Sequence, residues 1–291
     1  MTEPKQHFGM RMRNALTRMG PLCVGLDPSP QVLSAWNLPD TPNGLRSFCE
    51  TAVESLADVV GVLKPQSAFF ERFGAAGIRA LEHACALAHE AGLLVILDAK
   101  RGDIGSTSMA YADAYLRDDS PLAVDALTVS PYLGFESLRP MLDAAMASGR
   151  GLFVLASTSN PEAVELQAAR LASGTTVQRD MWDRAYAENG RFLAAEERAS
   201  DAPAPGPVGL VVGATIAEDR LPLADFNGFL LAPGLGAQGA TAPDIARLFA
   251  GCRSCVVPSS SRDVLLAGPD RARLADKASR VNDQLRAALL G

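Results

Sequence analysis

Eight short apolar runs divide the chain. They are rich in Val, Leu and Ile and are almost continuously apolar, with little alternation between apolar and polar positions. The runs are LCVGLD (22–27), VVGVLKP (59–65), LLVILDAK (93–100), ALTVSP (126–131), LFVLAST (152–158), VGLVVGA (208–214), FLLAPG (229–234) and SCVVPSS (254–260). Such runs are typical of strands that are covered on both faces, as in a parallel sheet. The pattern therefore predicts eight buried parallel strands.

Helical patterns separate these strands. GIRALEHACALAHEAG (77–92) and GFESLRPMLDAAMASG (134–149) have apolar residues three or four positions apart and a glycine at the end. Alternating strand and helix units predict an α/β fold, a (β/α)8 TIM barrel. A doubly wound open sheet is the alternative, but it usually has a glycine-rich turn after the first strand, where this chain has LDPSP.

One connection departs from this regularity. Residues 161–199, between the fifth and sixth predicted strands, are long for a single crossover and are interrupted by SGTT. We expect at least two helices here, forming an insertion outside the barrel. Nothing else in the pattern indicates a second domain, so residues 1–291 are predicted to form a single barrel domain with this helical insertion.

Composition and charge limit the possible partners. The 291 residues carry a formal net charge of −6, which is unfavourable for binding nucleic acid or an anionic membrane. Five scattered cysteines fit reduced thiols better than a disulfide framework. No run has the length of a membrane span or the apolar core of a signal peptide. We predict a cytoplasmic protein that binds neither nucleic acid nor membrane.

Polar residues gather at the carboxyl ends of the predicted strands, which form the active face of a barrel. They are Asp27, Lys64, Asp98, Lys100, Thr158, Ser159, Ser260, Ser261 and Arg262. Asp98 and Lys100 are two residues apart, so a regular strand directs both side chains to the same face. Asp103 follows in the next loop, and we expect it either to return to the mouth or to reach another subunit.

A structural ion pair is the alternative for any single Asp and Lys at the mouth. Buried charges are unfavourable unless they are paired, so several charges directed at one cavity favour a site for a charged ligand. The three histidines, His7, His83 and His89, lie away from the predicted mouth. Proton transfer is therefore expected from lysine or carboxylate. A histidine-ligated metal is not expected, and a hard cation held by carboxylates stays open as an alternative.

Two segments predict a phosphate site. The loop LAPGLGAQGAT (231–241) contains Gly234, Gly236 and Gly239, and Arg262 follows the eighth strand. Barrels commonly bind phosphate at these two positions through backbone N–H groups, which glycine allows to approach closely. Arg262 can add a bidentate contact.

Several segments resemble a known family. LDAKRGDIGST (97–107) is similar to the Asp-x-Lys-x-x-Asp signature of orotidine 5′-phosphate decarboxylase, in the form of its longer bacterial subgroup. LCVGLDPSP, LKPQSAFFERFG, STSNPEA, VVGAT, APGLGAQGAT and SSSR resemble further segments in the family order, over about residues 8–285. The resemblance implies a TIM barrel that converts orotidine 5′-phosphate to uridine 5′-phosphate without a metal or cofactor, as the last step of de novo pyrimidine nucleotide (UMP) biosynthesis.

The resemblance also implies roles for individual residues. Its charge network corresponds to Lys64, Asp98, Lys100 and Asp103, with Lys100 protonating the C6 carbanion and Asp98 near the departing carboxylate. The implied substrate-binding residues are Asp27 and Lys64 for the ribose, Ser159 for the pyrimidine, Gln238 and Arg262 for the phosphate, and Pro233, Ser261 and Thr107. Asp103 and Thr107 are implied to enter the neighbouring subunit's site, which predicts a homodimer.

Two alternatives stay open. Metal-dependent sugar-phosphate decarboxylases and synthases of the same barrel group share Asp-x-Lys-x-x-Asp, but typically have Glu where this chain has Lys64. A catalytically silent nucleotide-binding module would bind phosphate and ribose without needing Lys100. A dependence on metal would separate the sugar-phosphate enzymes from the decarboxylase. Turnover that is lost on removal of Lys100 would separate the decarboxylase from the silent module.

Overall fold

Eight parallel strands close into a barrel in which sequence neighbours are also spatial neighbours and the last strand pairs with the first. The computed structural model describes residues 6–196, 205–216 and 221–290. The strands are β1 (Cys23–Leu26), β2 (Val62–Pro65), β3 (Leu94–Arg101), β4 (Ala126–Val129), β5 (Gly151–Ser157), β6 (Val208–Val212), β7 (Leu230–Pro233) and β8 (Val256–Ser260). Each overlaps the apolar run that predicts it, and the predicted (β/α)8 barrel is confirmed.

Helices surround the barrel. They are α1 (Phe8–Met19), α2 (Pro30–Ala35), α3 (Pro42–Leu56), α4 (Ala68–Glu71), α5 (Gly74–Glu90), α6 (Gly105–Leu116), α7 (Arg139–Ala147), α8 (Ala163–Gln167), α9 (Val177–Glu196), α10 (Ala242–Leu248), α11 (Arg262–Leu265) and α12 (Arg271–Leu290). Side-chain caps explain where α2 and α3 begin, because Ser29 and Thr41 each accept a backbone N–H bond and a proline follows. In the described parts of the chain, no helix combines the length and apolarity needed to cross a membrane.

The connection between β5 and β6 contains α8 and α9. Met181, Trp182 and Ala185 of α9 are buried, and the helix packs against both strands. It therefore belongs to the outer helical layer, and α8 is the additional element. Residues 197–199 of the predicted insertion lie outside the described residues. The division into one domain with an insertion at 161–199 stays a prediction.

The amino-terminal end of the barrel is closed by α1. A buried cluster combines one residue from each of the eight strands with Phe8, Met12 and Leu16 of this helix. The Phe8 ring meets the Phe153 ring edge-on, with 5.9 Å between centroids. Because α1 fills this end, the open end of the barrel is the one at the carboxyl ends of the strands.

Candidate active site

A cavity of about 420 Å³ opens at the carboxyl ends of the strands. Leu155, Val211 and Leu231 supply apolar parts of its wall. The predicted site residues that line it are Asp27, Lys64, Asp98, Lys100, Ser159, Pro233, Gln238, Ser261 and Arg262. Residues from almost the whole chain therefore converge on one cavity, as strand order in a barrel requires.

Asp98 is the centre of the charged cluster. Its Oδ2 accepts hydrogen bonds from Lys64 Nζ at 3.2 Å and from Gln66 Nε2 at 3.0 Å. Its Oδ1 accepts from Lys100 Nζ at 2.5 Å and from Thr128 Oγ1 at 2.9 Å. Each oxygen of this buried carboxylate thus accepts from one ammonium group and one neutral donor. The charged groups are therefore arranged in the order Lys64–Asp98–Lys100.

The end of β3 is irregular. Its pairing with β4 shifts between Leu97 and Arg101, so that residues 98–100 lie opposite the single residue Thr128. Within this bulge Lys100 has φ +48°, a left-handed conformation that is unfavourable by roughly 1–2 kcal/mol for a residue with a Cβ. Asp98 and Lys100 meet as predicted, but they meet across a bulge and not along a regular strand.

The cluster carries fixed charges. Burial by itself raises the pKa of Asp98, but the ammonium groups of Lys64 and Lys100 outweigh it and hold that pKa at about 2. Burial likewise lowers the pKa of Lys64, but the carboxylates of Asp98 and Asp27 outweigh it and raise that pKa above its usual value. At neutral pH the cavity therefore presents a buried carboxylate held between two lysines.

Asp27 lies beyond the end of β1 and has an unused acceptor. Its Oδ1 is buried, and no donor among the described residues bonds to it. A buried acceptor without a donor is unfavourable by about 1–3 kcal/mol, so Asp27 is suited to accept a hydrogen bond from a ligand hydroxyl. Gly25 keeps this part of the wall open, because a Cβ there would lie 1.9 Å from Ser261 Oγ.

The far end of the cavity suits a phosphate. Gly234, Gly236 and Gly239 have φ of +119°, +76° and +93°, conformations in which a glycine is strongly favoured. Gln238, within the same loop, accepts a hydrogen bond from Ser159 Oγ at 2.8 Å. Arg262 is exposed at the start of α11 and lines the cavity. The Arg262 guanidinium is thus available to an anion at this end, whereas the backbone N–H groups of Gly236 and Gly239 are bonded to carbonyls within the loop.

Asp103 and Thr107 do not line the cavity of their own chain. Asp103 Oδ1 accepts a hydrogen bond from the next residue, from Ile104 N at 2.8 Å, and Thr107 is exposed in the first turn of α6. The sequence left two positions open for Asp103. The structure excludes the first, a return to the mouth of its own barrel, because Asp103 does not line that cavity.

Two contacts of Asp98 were not anticipated from the sequence. Gln66 lies in the segment LKPQS, and a polar residue two positions after Lys64 is the signal that could have identified it. Thr128 is a polar residue inside the apolar run ALTVSP, where a buried hydroxyl needs a partner. Both are easily overlooked because threonine is common in strands and a lone Gln carries little chemical information.

The histidines and acidic residues form no metal centre in the described structure. His83 and His89 lie on α5, where they contact Glu50 and Asp125, and none of the three histidines lines the cavity. Within residues 6–196, 205–216 and 221–290, no three His, Cys, Asp or Glu side chains come together as ligands for a metal ion.

Comparison with known proteins identifies the family. The model of the orotidine 5′-phosphate decarboxylase / HUMPS family matches residues 20–277. Proteins named orotidine 5′-phosphate decarboxylase from Salinispora arenicola and Streptomyces coelicolor are 52% and 50% identical to this chain. The first alignment covers 98% of this chain and 99% of the relative, and the second covers 97% and 98%.

Solved structures agree with this assignment. A crystal structure from Streptomyces avermitilis matches with a TM-score of 0.90 and 49% identity, over 99% of this chain and 97% of that one. The structure of Leishmania donovani OMP decarboxylase matches with a TM-score of 0.76 and 28% identity, over 98% of this chain and all (100%) of that one. Sequence, fold and cavity together make this chain a member of the orotidine 5′-phosphate decarboxylase / HUMPS family.

Proposed function

We propose that this protein decarboxylates orotidine 5′-phosphate to uridine 5′-phosphate, the last step of de novo UMP biosynthesis. The observation that carries the proposal is the Asp98 carboxylate held between Lys64 and Lys100 at one end of a cavity whose other end suits a phosphate. Membership in the family and relatives of that name over nearly the whole chain support it.

The chemistry assigns Lys100 the central role. Cleavage of the bond between C6 of the pyrimidine and its carboxylate releases carbon dioxide and leaves the electron pair on C6. The Lys100 side chain is 46% exposed and lines the cavity; its ammonium group stabilises that charge and delivers the proton that forms the new C6–H bond. Asp98 keeps the ammonium in position and lies near the departing carboxylate, and Lys64 keeps Asp98 charged.

The remaining site residues bind the substrate in this proposal. Asp27 and Lys64 take the ribose hydroxyls, which gives a donor to the unused Asp27 oxygen. Ser159 contacts the pyrimidine edge. Gln238 and Arg262 bind the phosphate, with Pro233 and Ser261 in the adjoining wall. Contacts with the phosphate are distant from C6, so they contribute binding energy that can order the 234–240 loop over the reacting carbon.

The active form in this proposal is a homodimer with composite sites. Asp103 and Thr107 lie outside the cavity of their own chain, and their segment and the one that follows β4 expose large apolar side chains that a second copy would cover. These are Ile104, Met109, Tyr132 and Leu133, of which Tyr132 is 78% exposed. Clusters of this kind are typical of association surfaces. The five free cysteines fit a reducing compartment, and we assign the protein to the cytoplasm.

A metal-dependent sugar-phosphate enzyme is the less favoured alternative. Such an enzyme binds Mg²⁺ through carboxylate oxygens. The Asp98 oxygens are already occupied by two ammonium groups and two neutral donors, which repel a cation or compete with it.

The activity is tested by the ultraviolet absorbance change when purified protein meets orotidine 5′-phosphate, with and without a metal chelator. We expect conversion to uridine 5′-phosphate at the same rate in both samples. Absence of conversion by folded protein, together with Mg²⁺-dependent turnover of a sugar phosphate, would establish the alternative.

Composite sites are tested by mixing two inactive variants, Lys100→Ala and Asp103→Ala. Random exchange of subunits makes hybrid dimers in which one site has both wild-type residues, so activity should recover to about a quarter of wild type. Analytical ultracentrifugation should show dimers in each sample. If the mixture stays as inactive as its parts although hybrids form, Asp103 does not act in the neighbouring site.

A further inference from the structure

The bulge at the end of β3 places one buried hydroxyl at an unusual position. Thr128 is the single β4 residue opposite residues 98–100, and its side chain is only 1% exposed. The backbone N–H of Lys100 is donated to Thr128 Oγ1 at 2.9 Å. A side chain of β4 thus contacts the backbone of the residue with φ +48°.

The direction of the second hydrogen bond follows from the first. Because Thr128 Oγ1 accepts from Lys100 N, its own hydrogen points elsewhere. The nearest acceptor is Asp98 Oδ1 at 2.9 Å, while Leu97 O is at the limit of hydrogen bonding, at 3.5 Å. Asp98 Oδ1 is also the atom that accepts from Lys100 Nζ. One hydroxyl is therefore bonded both to the backbone of Lys100 and to the carboxylate that holds its ammonium group.

We infer that Thr128 is a positioning residue for Lys100 in the decarboxylation proposed above, and the inference rests on that function. Its hydroxyl joins the left-handed backbone of Lys100 to the Asp98 carboxylate, so that both ends of the lysine are held relative to each other. Thr128 lines the inner wall of the cavity, but its hydroxyl already accepts from Lys100 N and donates to Asp98, so it has no hydrogen left for substrate or for C6. It acts only through Lys100 and Asp98.

The surroundings of Thr128 explain why a hydroxyl is needed here. A left-handed conformation at a residue with a Cβ persists only where neighbouring groups hold it. Valine has the shape of threonine but can neither accept from Lys100 N nor donate to Asp98. Without the hydroxyl, the Lys100 backbone can relax toward an extended conformation, which moves the ammonium group away from the position at which it meets C6.

The test compares Thr128→Val with Thr128→Ser, which keeps the hydroxyl and loses the methyl group. Thr128→Val should lower kcat about 10- to 100-fold while KM stays within about threefold, since misplacement of a reacting group by about 1 Å can have this effect. Thr128→Ser should restore kcat to within about threefold of wild type. Ser55→Ala is the matched control, because it removes another buried hydroxyl, bonded to Thr51 O on α3 far from the cavity, and should leave kcat unchanged.

A wild-type kcat in Thr128→Val, or a kcat in Thr128→Ser as low as in Thr128→Val, would overturn the inference. If Thr128→Val does not fold, Thr128→Ala, which adds no atoms, carries the same expectation. If the wild type itself does not convert orotidine 5′-phosphate, the proposed function fails, and a crystal structure of the variant then decides the positioning role. A displaced Lys100 supports it, and an unmoved Lys100 with φ near +48° overturns it.

Discussion

Two buried aspartates at opposite ends of the barrel have similar electrostatics and different surroundings. Asp98 lies at the carboxyl end of β3, and Asp125 directly precedes β4 at the amino-terminal end. Burial by itself raises both pKa values, yet the pKa of each is held at about 2. For Asp125 the opposing contacts come from His89, Arg11 and the backbone N–H of Val95.

The two aspartates differ in what their charged partners contact. Arg11 on α1 also donates to Gly149 O at 3.0 Å, and His89 Nε2 on α5 lies 3.0 Å from Asp125 Oδ2. These contacts tie two helices to the closed end of the barrel. Lys100, in contrast, is accessible from a cavity. A low pKa thus marks any well-paired buried carboxylate, and only an accessible counter-charge in a cavity distinguishes a candidate catalytic cluster from a structural one.

Lys100→Ala should have the largest effect and act on chemistry alone. We expect kcat to fall at least about 1,000-fold because the proton donor is lost, while affinity for uridine 5′-phosphate stays measurable. Thermal unfolding should change little, since Lys64 still pairs with Asp98. Turnover by ultraviolet absorbance and binding by calorimetry check both expectations. Wild-type turnover would exclude Lys100 as the acid, and the comparison of the two clusters would then fail.

Asp125→Asn should lower stability and leave turnover almost unchanged, the opposite of Lys100→Ala. Loss of this buried charge leaves Arg11 and His89 without their carboxylate, and we expect a loss of about 2 kcal/mol of stability and a Tm lower by roughly 5 °C. The kcat of the folded protein should stay within about twofold of wild type. The matched variant Asp98→Asn should abolish turnover instead. A large fall in kcat for folded Asp125→Asn would show that the amino-terminal cluster also influences catalysis.

Acid unfolding should depend on both aspartates. Their pKa values are about 2 in the folded protein against an ordinary 3.8, so each stabilises the fold above about pH 4. That contribution, roughly 2 kcal/mol for each carboxylate, is lost as the pH falls from about 4 through about 2. Denaturant unfolding at several pH values should show Asp125→Asn losing less stability over this range than wild type. An equal loss of stability in Asp125→Asn and wild type would mean that Asp125 does not contribute to the pH dependence of unfolding.

The smallest expected effects come from two glycine substitutions, one at each end of the barrel. A Cβ at Gly25 would meet Ser261 at the cavity, whereas one at Gly151 would lie 2.3 Å from the Phe8 ring at the closed end. Gly25→Ala should raise KM about fivefold, equivalent to about 1 kcal/mol of binding, with little change in Tm. Gly151→Ala should lower Tm by about 2–4 °C and leave KM unchanged. Reversed profiles would contradict this division of roles.

Much of the fold and the composition of the site could be predicted from the sequence. The eight apolar runs match the eight strands because burial on both faces of a parallel sheet requires continuous apolarity. The carboxyl ends of strands meet at one face of a barrel, so Asp27, Lys64 and Asp98 are neighbours there as a consequence of strand order alone. The glycines at 234, 236 and 239 have the positive φ angles for which glycine is suited.

Other features could not be predicted because they depend on contacts between distant segments. The shift in β3–β4 pairing, the left-handed Lys100 and its bond to Thr128 arise only when the two strands are side by side. The role of Asp125 likewise depends on α1 and α5 meeting at the closed end.

The amino-acid sequence by itself determined the barrel, the set of charges at its mouth and the family resemblance, because periodicity and residue order are local properties. Only the tertiary structure decided which charges touch, which oxygen of Asp98 each lysine meets, and that Asp125 is a structural counterpart of Asp98. The physical reason is that burial and hydrogen-bond geometry, which set the free energy of a charge, are properties of the folded surroundings and not of the residue.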